Sequence, residues 1–153
     1  MFEEFKHAFQ RPNHAHVQLI LINVLLFLIL AVVLVVTTIA GFEKSFSIIY
    51  AQFSLPPSLA VFLNRPWTIL TYGFTHSLTD IWHIIFNMIS LYWFGKLFIE
   101  YLGNDRLIAL YILGAIAGGI VYLSLYNSVP FFMQRANSAG MVGASGAIFA
   151  IMV

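Results

Sequence analysis

Long apolar runs separated by polar clusters set the pattern of the chain. Residues 17–40 are apolar except for Gln18, Asn23 and the Thr37-Thr38 pair. At 1.5 Å per residue such a run is about 36 Å long, enough to cross a hydrocarbon core of about 30 Å. It therefore predicts a first transmembrane helix. The run is too long for a signal-peptide core, and the leader before it is not clearly basic. That leader, residues 1–16, reads as a polar tail of mixed charge with Glu3, Glu4, Lys6, Arg11, His7, His14 and His16.

Residues 41–80 break the pattern. Their apolar patches are too short to span, and Pro56-Pro57 and Asn64-Arg65-Pro66 interrupt them. A connector this apolar is expected to lie in the membrane interface, with Tyr50, Trp67 and Tyr72 near headgroup depth. Residues 81–99 predict a second helix, with Asp80 as its N-cap. Gly103-Asn104-Asp105 then predicts a tight turn before a third helix over 106–126. That helix carries the run Gly114-Ala115-Ile116-Ala117-Gly118-Gly119, a small-residue surface for close helix approach. Residues 127–142 form a polar loop, and 143–153 open a fourth helix.

Composition agrees with the pattern. The 153 residues are 61% hydrophobic and 8% charged, against about 25% charged in soluble domains. The fold class is an all-α, multi-pass membrane protein whose first partner is the lipid bilayer. The net charge of +1 gives no reason to expect a nucleic-acid partner, and the absence of cysteine excludes disulfides and thiolate chemistry. The His14-x-His16 pair lacks further ligands, so no metal and no cofactor is expected. Lys6, Arg11, Lys96 and Arg106 on one side against Lys44, Arg65 and Arg135 on the other slightly favour a cytoplasmic N-terminus. A plasma (cell inner) membrane is the expected location. The last run covers about 16 Å, roughly half the core, and a chain end there leaves carbonyls unsatisfied in hydrocarbon. The sequence is therefore expected to be a piece of a longer protein.

Topology suggests where chemistry would sit. The second and fourth helices enter from the same face, so His83, Asn87 and Ser145, all in early turns, lie at similar depth. His83 and Asn87 are four apart and share a helix face. Polar groups at this depth either bridge helices or serve a function. Acyl transfer by a serine needs a base and donors aimed at the oxyanion. A helix N-terminus beside Ser145 offers free amides, His83 and Asn87 offer side-chain donors, and Gly143 and Gly146 leave room for a substrate backbone.

His83-x-x-x-Asn87 together with Gly143-Ala144-Ser145-Gly146 resembles the motif set of the rhomboid family of intramembrane serine proteases. The run Pro66-Trp67-Thr68…Phe74-Thr75-His76 and the Gly95…Gly103 region add to the likeness, which covers roughly residues 17–153. The resemblance implies a rhomboid-like helical bundle of six transmembrane helices, of which about three and a half are present here. It implies a serine endopeptidase that cleaves transmembrane segments of other proteins without metal or cofactor. Ser145 matches the nucleophile, His83 and Asn87 the oxyanion stabilisers, and Gly143 and Gly146 the motif glycines. The family's general base is a histidine on the sixth helix, so the 153-residue chain alone is expected to be inactive. Three positions depart from the family pattern. Phe149 replaces a common tyrosine, Trp67-Thr68 stands where Trp-Arg is common, and Ile99-Glu100 displaces an acidic residue by one. His76 is expected in the interfacial loop, not as a substitute base. Two other readings compete: a non-catalytic rhomboid-like protein that binds membrane clients, and a channel or transporter fragment lined by His83 and Asn87. Neither the sequence nor the resemblance specifies an oligomeric state.

Overall fold

A computed structural model describes residues 14–134 and 140–153. The expected polar tail up to residue 13, and the loop residues Arg135, Asn137 and Ser138, lie outside the described residues. Among the described residues, eight α-helices follow in order: α1 (Ala15–Ile39), α2 (Glu43–Ala51), α3 (Leu59–Asn64), α4 (Thr68–Thr71), α5 (Ile81–Leu102), α6 (Asn104–Ser128), α7 (Pro130–Met133) and α8 (Ser145–Met152). A 3-10 turn, Tyr72–Phe74, extends α4. Two described helices, α1 and α6, are long and apolar enough to cross a membrane. The 22 residues of α5 also reach across the core by length. Its His83, Asn87, Lys96 and Glu100 set it apart from that pair.

The long helices α1, α5 and α6 bury one face each and leave large apolar side chains outside, among them Val32, Ile39, Trp93, Leu113 and Val121. A lipid-facing surface has this character, because acyl chains are as apolar as leucine. Inside, Leu19, Leu91, Leu107, Tyr111, Ala115, Ala147 and Ile151 form a core shared by α1, α5, α6 and α8. One polar network crosses it. Asn23 Nδ2 donates to the Leu19 carbonyl at 2.8 Å and to Tyr111 Oη at 3.1 Å. Tyr111 Oη donates to the Gly73 carbonyl at 2.7 Å. The polar interruption in α1 is thus satisfied internally, as its depth demands.

Residues 41–80 are largely structured, and their backbone carbonyls are taken up by side chains. Arg65 Nη1 donates to the Ala51 carbonyl at 2.6 Å, Trp67 Nε1 to Gln52 at 3.0 Å and Thr71 Oγ1 to Phe53 at 3.2 Å. Tyr50 Oη donates to the His76 carbonyl at 3.1 Å. Leu55 and Met141 exchange backbone hydrogen bonds at 3.0 and 2.8 Å, an isolated antiparallel bridge that joins this segment to the last loop.

Tyr72, expected near headgroup depth, is buried within the protein, its hydroxyl donating to the Ala115 carbonyl of α6 at 2.6 Å. His16 is likewise buried, so it belongs to α1 and not to a solvated tail. Gly95 of α5 makes that possible: a Cβ there would lie 2.8 Å from the His16 Cβ. α8 starts at Ser145, two residues later than hydropathy suggests, because Gly143 has φ of +125° and cannot be helical.

The small-residue surface of α6 is where α8 and Tyr72 pack. A Cβ on Gly114 would meet the Ala150 Cβ at 2.6 Å and the Ala147 Cα at 3.0 Å, and one on Gly118 would meet Tyr72 Oη at 2.9 Å. Gly114→Val is therefore expected to push α8 off α6 and to lower stability by about 1–3 kcal/mol, the usual cost of overpacking. Leu113→Ala, on the exposed face of the same helix, should change stability by no more than about 0.5 kcal/mol. Thermal unfolding of both variants in one detergent checks the difference.

Candidate active site

The site begins at the start of α5. Asp80 caps the helix, its carboxylate accepting the Trp82 N–H at 3.1 Å. This fixes where the first turn starts and hence where His83 points. One turn on, Asn87 is buried and donates from Nδ2 to the His83 carbonyl at 2.7 Å. That bond holds the amide against its own helix and leaves a second N–H.

The partner wall is the chain from Gly143 into α8. The Gly143 N–H donates to the Tyr72 carbonyl at 3.0 Å. The vacant side-chain position of Gly143 is filled by the His83 ring: a Cβ there would lie 2.6 Å from His83 Nε2 and 2.8 Å from Cε1. Ser145 Oγ lies 3.8 Å from the same point. Glycine is thus required at 143 both by its backbone angle and by the ring lying over it. Ser145 is the first residue of α8 and is exposed. The opening amides of the helix have no intrahelical acceptor, and its dipole favours negative charge there.

His83, Asn87 and Ser145 line one cleft of about 480 Å³ between α5 and α8. No hydrogen bond joins Ser145 Oγ to either of the other two among the described residues. Trp82, Phe86 and Phe149 form an apolar rim, Phe149 being 67% exposed. Gly146 faces away from this cleft. A Cβ on it would meet Tyr72 Oη at 3.5 Å and the Gly114 carbonyl oxygen at 3.6 Å, ordinary contacts on the α6 side. Its place in the structure is in helix packing.

His76 is the residue whose position the sequence did not reveal. It precedes α5, yet it is fully buried with its ring 5.3 Å from that of His83, edge to face. Neither ring nitrogen has a hydrogen-bond partner. Burial, and then the nearby His83, pull its pKa down to about 4. His76 is therefore a neutral ring behind His83, and it does not line the cleft.

A family model described as Rhomboid domain matches residues 63–153. Among curated proteins, the chain is similar to RHOMBOID-like protein 12, mitochondrial, of Arabidopsis thaliana. The two are 36% identical over 99 residues, a match covering 59% of this chain and 29% of that protein. Rhomboid-like protein 16, chloroplastic, of the same plant is 32% identical over 97 residues, covering 58% of this chain and 30% of its own length. The matched stretch thus spans under a third of these relatives. No solved structure matches the chain.

The buried His76 makes stability depend on pH. Its folded pKa lies below the ordinary 6.5, so between about pH 6.5 and 4 the unfolded chain takes up a proton that the folded chain refuses. Stability should fall as pH drops through that window, by up to about 1.4 kcal/mol per pH unit from this group. Unfolding midpoints at pH 7 and 4.5 for the unaltered chain and His76→Leu check this, the variant showing the shallower loss.

Proposed function

The chain belongs to the rhomboid family, and from that premise we propose that its parent protein is an intramembrane serine endopeptidase acting on transmembrane segments of other proteins. The observation that carries this reading is the shared cleft of Ser145, His83 and Asn87. In it, Ser145 Oγ attacks the scissile carbonyl carbon and its proton passes to a general base. By family resemblance that base is a histidine of the sixth core helix. The oxyanion so formed accepts from the Ser145 backbone N–H and from the His83 and Asn87 side chains. Negative charge grows on that oxygen in the transition state, so donors held in place by a cap, a carbonyl and a glycine contribute without reorganising. Collapse of the intermediate breaks the C–N bond and protonates the leaving amine. Water then releases the acyl group from Ser145.

The apolar rim of the cleft suits a substrate that is itself a membrane helix. Phe149 keeps an aromatic ring at that rim without a hydroxyl. The expected plasma membrane draws no support from relatives whose names place them in mitochondria and chloroplasts, and it is set aside.

A serine-directed fluorophosphonate tests the reading on the full-length protein. Labelling is expected, with complete loss in Ser145→Ala. Asn87→Ala should lower cleavage of a transmembrane substrate by about 10²-fold, the usual loss for one oxyanion donor. An unlabelled but folded full-length protein would replace the protease with a client-binding role on the same fold.

A further inference from the structure

Thirteen residues along α5 from His83, Lys96 stands near the other end of the helix, about 20 Å away at 1.5 Å per residue. There the N-terminal end of α1 meets the C-terminal end of α5. His14, His16, Lys96 and Glu100 line a cleft of about 280 Å³ at this junction. A second cleft of about 300 Å³ adjoins it, sharing Lys96 and Glu100 and adding Tyr92 and Trp93.

We propose that this junction binds the phosphoethanolamine headgroup of a membrane phospholipid, its phosphate on Lys96 and the two imidazoles and its ammonium on Glu100. Three observations carry the assignment. First, Lys96 and Glu100 are opposite charges one turn apart on the same helix face. No ion pair joins them among the described residues, so both remain available to a ligand carrying the complementary pair. Second, His14 and His16 stack with ring centroids 6.1 Å apart, and both line the cleft beside the one lysine of α5. Third, Trp93 is 71% exposed, and Tyr92 and Tyr101 are exposed near it. Aromatic residues gather at headgroup level, so this end of α5 sits where lipid phosphates are.

The charge pair selects among lipids. A purely anionic headgroup places nothing positive against Glu100 and is repelled by it. A choline headgroup carries its charge on a nitrogen without N–H bonds and gives the carboxylate no hydrogen bond. A primary ammonium gives both charge and hydrogen bond. Trp93 and Tyr92, beside the shared charges, supply apolar surface for the lipid's glycerol and upper acyl chain.

Native mass spectrometry of the detergent-solubilised chain, with added phosphatidylethanolamine or phosphatidylcholine of equal chain length, tests the proposal. Ethanolamine lipid is expected to be retained roughly threefold more than choline lipid, the preference that one exposed charge-assisted hydrogen bond supplies. Glu100→Gln should bring the ratio to about one, and Lys96→Gln should reduce retention of both lipids. Both side chains are exposed, so neither change threatens folding. Soluble phosphoethanolamine and inorganic phosphate should not displace the lipid. Equal retention of the two lipids by the unaltered chain, a preference that survives Glu100→Gln, or retention unchanged in Lys96→Gln would each overturn the site. Displacement by either soluble compound would overturn the lipid as its occupant. The outcome depends on the chain lying in a membrane and is independent of protease activity.

Discussion

Tyr72 is the residue on which the arrangement of the helices around the site depends. Its hydroxyl donates to the Ala115 carbonyl in α6, and its own carbonyl accepts the Gly143 N–H. One side chain and its backbone thus tie the segment 41–80, α6 and the approach to Ser145. Tyr72 and Ala115 are buried, so water does not compete for these groups and the bonds hold more firmly than they would at a wet surface. The Ala115 carbonyl already serves its own helix. Its second lone pair is what lets a neighbouring segment attach without breaking the helical ladder.

That attachment requires close approach, and the glycines of α6 permit it. Glycine within a helix costs about 1 kcal/mol relative to alanine. Gly114, Gly118 and Gly119 accept that cost because Ala150, Tyr72 and Ile69 occupy the space their side chains would fill. Between membrane helices no hydrophobic force drives association, so dispersion contacts and the few hydrogen bonds must do so. The same logic applies at Gly95, where α1 approaches α5 over His16.

Much of this was legible in the sequence because hydropathy and spacing report transfer cost and helix faces. The long helices, the Asp80 cap, the small-residue face of α6 and the meeting of His83, Asn87 and Ser145 follow from those two properties. The burial of Tyr72, His76 and His16 was not legible, for a common reason. Each is amphipathic or polar, and a hydropathy pattern places such residues at an interface unless a partner inside is known. Two partners lie far along the chain, Ala115 for Tyr72 and Gly95 for His16, and the third, the His83 ring, reaches back over His76 from the next helix. Gly146 was read as room for substrate because it neighbours the serine. In a helix, adjacent residues face directions about 100° apart, and here that angle turns Gly146 towards α6.

The geometry at Ser145 follows from the Tyr72 tie more than from the serine's own neighbours. Holding the Gly143 N–H on the Tyr72 carbonyl turns that residue to φ +125°. This delays α8 to Ser145 and leaves a vacancy over the Gly143 Cα. The His83 ring fills that vacancy from α5, with the uncharged His76 ring behind it. A helix begun at Gly143 would continue in αR geometry and remove the space for the ring. The late start that hydropathy could not anticipate is therefore the feature that lets a histidine of one helix and a serine of another face the same cleft.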